Sequence, residues 1–135
     1  MAVAAGSFRN RHEFTTFPEL CTAIGRALPG QLVLDGEIVY LGKDRCPRFY
    51  DLMRRRAPQY FYAFDLLWKD GQDLRSLPLI KRKRLLKKIV KSPVLFVDHL
   101  VGRGIDLFQA VCQKDLEGIG AKAAQGCINR RKQRE

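Results

Sequence analysis

Residues 32 to 41 read Leu-Val-Leu-Asp-Gly-Glu-Ile-Val-Tyr-Leu, and this stretch decides the fold. Apolar and β-branched residues on both flanks predict a buried strand. Asp35 and Glu37 project to the same side, because side chains alternate along a strand, and Gly36 between them leaves room for a close neighbour. A buried unpaired charge is costly, so the two carboxylates call for a metal ion, a Lys or Arg, or a ligand. The alternative is a pair at a sheet edge, solvated or bridged to surface arginine.

The composition favours one folded domain, or a piece of a larger one, with a polyanionic partner. The chain has 135 residues and is 46% hydrophobic, which is ample for a core. Lys and Arg number 25 against 14 Asp and Glu, and the formal charge is +11. A surplus of this size makes nucleic acid the first candidate partner.

The cysteines and the apolar segments indicate an intracellular, soluble protein. Four cysteines are widely spaced, without a C-x-x-C pair: Cys21, Cys46, Cys112 and Cys127. This spacing predicts reduced, mostly buried thiols and no zinc site. The first residues lack the pattern of a signal peptide, and no apolar segment approaches the roughly 20 residues of a membrane span.

The other elements follow from hydrophobic periodicity and from turn residues. We predict, in order, a helix from about 16 to 28, a short helix at 49–56, a strand at 59–68, a helix at 78–90, a strand at 94–100, a helix at 105–114 and a strand at 117–122. The strand at 59–68 is almost wholly apolar and is predicted to be central. Helices and strands alternate without a strict βαβ rhythm, so the predicted fold class is α+β, with mixed, mainly antiparallel sheets and packed helices.

The helix at 78–90 is strongly basic. Between its apolar positions lie Lys81, Arg82, Lys83, Arg84, Lys87 and Lys88. Such a run forms either a solvated helix face or a surface that grips phosphates.

Three motifs in order carry a family resemblance. Leu34 to Ile38 (LDGEI), Phe61 to Leu67 (FYAFDLL) and Glu117 to Lys122 (EGIGAK) resemble the third, third-a and fourth nucleotidyltransferase motifs of ATP-dependent DNA ligases. Ser7 to Asn10 resembles the segment after the nucleophile strand of that family. The likeness spans about residues 7 to 122 and is strongest to bacterial end-joining and repair ligases. It implies that residues 1–135 form part of an ATP-grasp-like adenylation domain, with 123–135 as a basic tail.

The resemblance also implies a nucleotide site. Its cofactors would be ATP or AMP with Mg²⁺ or Mn²⁺. Glu37 and Glu117 would hold the adenylate ribose or the metal, and Phe64 would stack on adenine. Arg9 would contact the ribose or the phosphates, and Lys122 would approach the nucleotide.

By the same resemblance, Asp35 and Asp65 would support this site. The chain would act on nicked or broken duplex DNA through a lysyl-AMP intermediate, in DNA repair and recombination, in the bacterial cytoplasm with the nucleoid and away from membranes.

Departures from the family pattern concern catalysis. Residues 1–6 contain no lysine, so no catalytic nucleophile is assigned, and 125–135 offer no counterpart of the final Lys-x-Lys motif. The OB-fold domain is also missing. We therefore expect the chain to be inactive alone, and a missing N-terminal or OB-fold portion is a candidate partner. Two alternatives are a non-catalytic basic nucleic-acid-binding module and an RNA ligase or capping-type nucleotidyltransferase.

Overall fold

The computed structural model describes residues 6–7, 13–14, 16–44, 48, 54, 58–114 and 120–128. Within these ranges the strands are β1 (Gly6–Ser7), β2 (Glu13–Phe14), β3 (Leu32–Tyr40), β4 (Gln59–Lys69), β5 (Gln72–Asp73) and β6 (Val94–Phe96). The helices are α1 (Pro18–Ala27), α2 (Leu79–Ile89) and α3 (Gly104–Gln113). None of the helices in the described ranges is both long and apolar enough to traverse a bilayer.

Strand β4 is the centre of the main sheet, as predicted. It pairs along its whole length with antiparallel β3, and its last two residues pair with antiparallel β5. On the same edge as β5, opposite β3, residues 61–63 of β4 pair with parallel β6. The sheet is therefore mixed and mainly antiparallel, which confirms the predicted fold class. A separate antiparallel pair, β1 with β2, was not predicted.

The β3–β4 pair contains two irregularities in register. Leu34 lies opposite Leu66 and Val33 opposite Trp68, so Leu67 is an extra residue on β4. Gly36 lies opposite Ala63 and Asp35 opposite Asp65, so Phe64 is a second extra residue. Extra residues of this kind are β-bulges, which bend a strand and redirect its side chains.

The hydrophobic core lies between one face of this sheet and two helices. Its buried members are Leu28, Ala63, Leu66, Leu74, Leu86 and Val94, and residues of α1 and α2 pack around them. Leu32 and Leu34 of β3 pack against this cluster, whereas Val33, Asp35 and Glu37 are exposed. The prediction that β3 is buried was therefore wrong, because its side chains alternate between a core face and an exposed face.

A tight turn joins β4 to β5. Asp70 has φ 47° and Gly71 has φ 88°, the left-handed values of a primed hairpin turn. The carboxylate of Asp70 accepts a hydrogen bond from the backbone N–H of Gln31 at 2.9 Å, and the Asp70 N–H donates to the Gln31 carbonyl at 2.8 Å. Gly30 has φ 84°, a left-handed value that other residues rarely adopt, and a Cβ there would also overlap with this carboxylate, so the position favours glycine. The turn thus fixes the start of β3 against the end of β4.

Other predicted elements differ from the structure in detail. Strand β6 ends at Phe96 and does not reach residue 100, and residues 120–123 form no strand. Most of the predicted helix at 49–56 lies outside the described residues. The described thiols are free, but Cys112 and Cys127 are exposed, so the expectation of mostly buried cysteines was wrong for them.

Candidate functional site

The acidic pair in the middle of β3 lies on the exposed face of that strand. Asp35 and Glu37 are both exposed, and the half-buried Tyr62 lies opposite Glu37 on β4. Of the two interpretations of this pair, the buried one that needs a compensating cation is wrong, and the solvated one agrees with the structure. Gly36 is closely surrounded, because a Cβ there would overlap with the Tyr62 carbonyl oxygen and lie 2.7 Å from Cζ of Phe61. Glycine at this position therefore allows the close approach of β3 to β4 between the two carboxylates.

Phe64, the predicted adenine-stacking residue, is the extra residue of a bulge two positions from Tyr62. Its side chain is half-buried. Among the described residues, the side chains packed against the core cluster do not include Phe64. The register of β3 and β4 therefore brings Glu37 and Phe64 to the same part of the sheet.

Asp65, the next residue, is held by a buried ion pair. Its carboxylate accepts hydrogen bonds from Nε and Nη2 of Arg82 at 2.9 and 3.0 Å, and both side chains are 3% exposed. Oδ1 also accepts the Leu66 N–H at 2.8 Å. Asp65 is a structural residue in this geometry, since its carboxylate is engaged inside the protein and is not presented to a ligand.

Lys83 contacts the Phe64 bulge directly. It is 8% exposed, and its Nζ donates to the Phe64 carbonyl at 3.0 Å and to the Val97 carbonyl at 2.9 Å. The same Nζ lies 4.8 Å from the centre of the Phe96 ring. Burial lowers the pKa of Lys83 below its ordinary 10.5, and the Asp65 carboxylate opposes that effect.

The segment that carries Lys122 packs against the start of α2. The N–H groups of Leu79 and Ile80 donate to the carbonyls of Gly126 and Ala124 at 3.0 and 2.9 Å. These bonds satisfy N–H groups that a helix N-terminus otherwise leaves unpaired. Arg82 Nη1 also donates to the carbonyls of Leu77 and Gly126.

Lys122 itself is exposed. Its positive charge adds a small part to the lowered pKa of Lys83, after the larger effect of burial.

The remaining predicted site residues are placed only in part. Arg9 and Glu117 lie outside the described residues. Within the described residues, no cluster of three or more His, Cys, Asp or Glu side chains is arranged to hold a metal. Glu37 is an exposed oxygen donor, the type of ligand Mg²⁺ uses together with substrate phosphates.

Sequence reasoning missed the roles of Arg82 and Lys83, which it assigned to a run of surface charge. The signal was present in the spacing. Arg82 follows Leu79 by three residues and precedes Leu86 by four, and Lys83 follows Leu79 by four and precedes Leu86 by three. Both therefore lie on the apolar stripe of α2, facing the core.

Similarity to known proteins covers nearly the whole chain. Residues 4–134 match the family model described as "ATP dependent DNA ligase domain". The chain is 33% identical over 125 residues to the SPbeta prophage-derived DNA ligase-like protein LigB of Bacillus subtilis, covering 86% of this chain and 45% of that protein. It is 36% identical over 94 residues to the multifunctional non-homologous end joining protein LigD of Mycolicibacterium smegmatis, covering 67% of this chain and 12% of that protein.

The fold is likewise similar to solved structures. The crystal structure of the ligase domain from M. tuberculosis LigD superposes with a TM-score of 0.75 at 29% identity, covering 91% of this chain and 42% of that one. A mycobacterial DNA ligase D complexed with ATP and MES gives 0.69 at 27% identity, covering 84% and 39%. The chain thus spans less than half the length of these relatives.

Proposed function

Because the chain belongs to the family of ATP-dependent DNA ligase domains, we propose that it forms one wall of the ATP site in a ligase adenylation domain. The whole enzyme would seal nicked or broken duplex DNA through a lysyl-AMP intermediate, in DNA repair and recombination. Its place of action would be the bacterial cytoplasm, with the nucleoid.

One observation carries this proposal: the register of β3 and β4. Glu37 lies opposite Tyr62, and Phe64 follows two residues later in a bulge. Recognition of a nucleoside needs two kinds of group. A carboxylate can accept hydrogen bonds from the ribose hydroxyls, and an aromatic ring can stack on the base. Lys122 is exposed on the segment that bonds to the start of α2, and it would approach the phosphates. Arg9 would add a contact to the ribose or the phosphates.

The exposed carboxylate of Glu37 also fits a divalent cation. With Glu117, it would hold Mg²⁺ or Mn²⁺ beside the phosphates, since hard cations take carboxylate oxygens together with those of a substrate. When bound, such a cation neutralises charge that develops during phosphoryl transfer.

The covalent nucleophile is a separate requirement. No lysine precedes Lys43 in these 135 residues. We therefore assign nucleotide binding, and not AMP transfer to lysine, to this stretch of the adenylation domain. An N-terminal portion and an OB-fold portion of a ligase are proposed partners of this stretch.

The test is ATP binding by calorimetry with and without Mg²⁺. Glu37→Gln and Phe64→Leu should each weaken binding by about tenfold or more, because each removes a contact to the nucleoside. Glu19→Gln on α1 and Phe108→Leu on α3 are matched controls, since both native residues are exposed on other elements. Equal losses in the controls, or no binding by the wild-type chain, would contradict the proposal.

A second candidate is a non-catalytic nucleic-acid-binding module. It is favoured by the net charge of +11 and by the exposed basic residues of α2. Duplex DNA binding that weakens steeply with salt, without any ATP binding, would select this alternative.

A further inference from the structure

Two consecutive cationic residues of α2, Arg82 and Lys83, form hydrogen bonds with two consecutive residues of β4. Arg82 binds the side chain of Asp65, and Lys83 binds the main-chain carbonyl of Phe64. The proposed nucleotide wall is therefore tied to the helix behind it at the bulge itself.

The bulge explains why the carbonyl of Phe64 needs such a partner. An extra residue in a strand drops out of the ladder, and its backbone groups must find other hydrogen bonds. The ammonium of Lys83 supplies one at 3.0 Å. It also donates to the Val97 carbonyl at 2.9 Å and lies 4.8 Å from the centre of the Phe96 ring, so one ammonium joins the bulge of β4 to the end of β6.

An apolar side chain at this position would leave the Phe64 and Val97 carbonyls without the donor that Lys83 supplies. Lys83 lies on the apolar stripe of α2, where leucine or methionine would fill the space without the desolvation cost of a buried charge. The hydrogen bond from its ammonium to the Phe64 carbonyl accounts for a lysine at this position. Phe64 is the residue whose backbone it fixes, and the proposed adenine contact depends on where that backbone places the ring.

We propose that Lys83 is a positioning residue for the nucleotide base: its Nζ holds the Phe64 bulge in place and thereby sets the ring that stacks on adenine. This inference rests on the proposed ATP-binding function. It assigns to α2 a role in nucleotide recognition, although Lys83 makes no contact with the nucleotide.

The experiment compares Lys83→Met with Lys88→Met, an exposed lysine on the same helix. Calorimetry measures the affinity for ATP and for inorganic tripolyphosphate, which lacks the base. Lys83→Met should weaken ATP binding about tenfold, the effect of losing one charge-assisted hydrogen bond, and leave tripolyphosphate binding unchanged. Lys88→Met should leave the preference for ATP over tripolyphosphate unchanged.

Hydrogen exchange gives a second readout that needs no nucleotide. The Val97 N–H donates to the Ala63 carbonyl beside the bulge, and the Leu74 N–H donates to the Leu67 carbonyl at the other end of β4. Lys83→Met should accelerate exchange at Val97 and leave Leu74 unchanged. If this variant fails to fold, Lys83→Gln, which keeps an N–H donor on a shorter side chain, takes its place.

The outcomes separate the inference from the proposed function. Unchanged exchange at Val97, or equal losses of ATP and tripolyphosphate affinity, overturns the role of Lys83 while wild-type ATP binding still stands. A wild-type chain that binds no ATP overturns the proposed function and the role toward the base together. Accelerated exchange at Val97 with a selective loss of ATP affinity supports the inference.

Discussion

Asp65 and Arg82 form a two-pronged ion pair in the interior, with Nε–Oδ1 and Nη2–Oδ2 distances of 2.9 and 3.0 Å and side chains 3% exposed. The pair joins the central strand to α2. Through Nη1, Arg82 also reaches the carbonyl of Gly126, so one guanidinium connects three parts of the chain. Every nitrogen and oxygen of the described buried side chains has a hydrogen-bond partner.

Breaking this pair should destabilise the fold strongly. Arg82→Met leaves the Asp65 carboxylate buried without its partner, and such losses cost about 3 to 5 kcal/mol. The free energy of unfolding, measured by urea titration, should fall by that amount. Arg84→Met, at an exposed position on the same helix, should change it by less than about 0.5 kcal/mol. Equal effects of the two substitutions would argue against a structural role for the pair.

Gly36→Ala tests the close contact between β3 and β4. A Cβ at this position would overlap with the Tyr62 carbonyl oxygen, and backbone cannot move aside as a flexible side chain can. We expect a loss of about 1 to 3 kcal/mol in unfolding free energy, the usual cost of overpacking. Gly104→Ala is the control, because nothing lies within 4 Å of a Cβ at that position. A Gly36 variant as stable as the Gly104 variant would contradict this account of the strand pair.

Asp70→Asn should flatten the acid dependence of stability. The bond from the Gln31 N–H, assisted by Lys69, holds the pKa of Asp70 below its ordinary 3.8. A carboxyl group with a lower pKa in the folded state contributes stability that is fully present above the unfolded pKa and is lost as pH falls through the folded pKa. Urea midpoints of the wild type should therefore drop as the pH falls below 3.8, and those of Asp70→Asn should drop less. Parallel decreases in both proteins would exclude this linkage.

The exposed basic side of α2 should contribute to DNA affinity. Lys81, Arg84 and Lys88 follow one another at helical spacing, all three are exposed, and α2 contains no acidic residue. Replacing all three by glutamine should reduce the slope of log K against log salt for duplex DNA by about 0.9 per lost phosphate contact. Fluorescence anisotropy at several salt concentrations measures this slope.

The control for that experiment removes the same charge elsewhere. Arg26, Lys43 and Lys114 are exposed on other parts of the chain, and their triple glutamine variant should retain the wild-type slope. If both triple variants lose the same slope, the net charge of the chain, and not the α2 face, determines its affinity for DNA.

Local pattern was sufficient to predict most elements. The apolar runs at β3 and β4, the 3.6-residue spacing of α2 and the glycine after Asp70 each act over a few residues, so neighbours in sequence determine the outcome. The order of three short motifs was likewise enough to indicate the family, which the match over residues 4–134 confirms. The assignments of Arg9 and Glu117 remain predictions, as do the nucleotide-binding roles of Glu37, Phe64 and Lys122.

Only the tertiary structure decided which charges are buried. The sequence by itself determined that β3 is a strand with Asp35 and Glu37 on one side, but the position of α1 and α2 on the opposite face left that side exposed. It also placed Arg82 and Lys83 of the basic α2 on the apolar stripe of that helix, but only the tertiary structure supplied their buried partners, the Asp65 carboxylate and the Phe64 carbonyl. The physical reason is that a charge can be buried at low cost only where it forms an ion pair or hydrogen bonds with another group. In this fold those partners come from elements distant in sequence, so the packing of the elements decides which charges are buried.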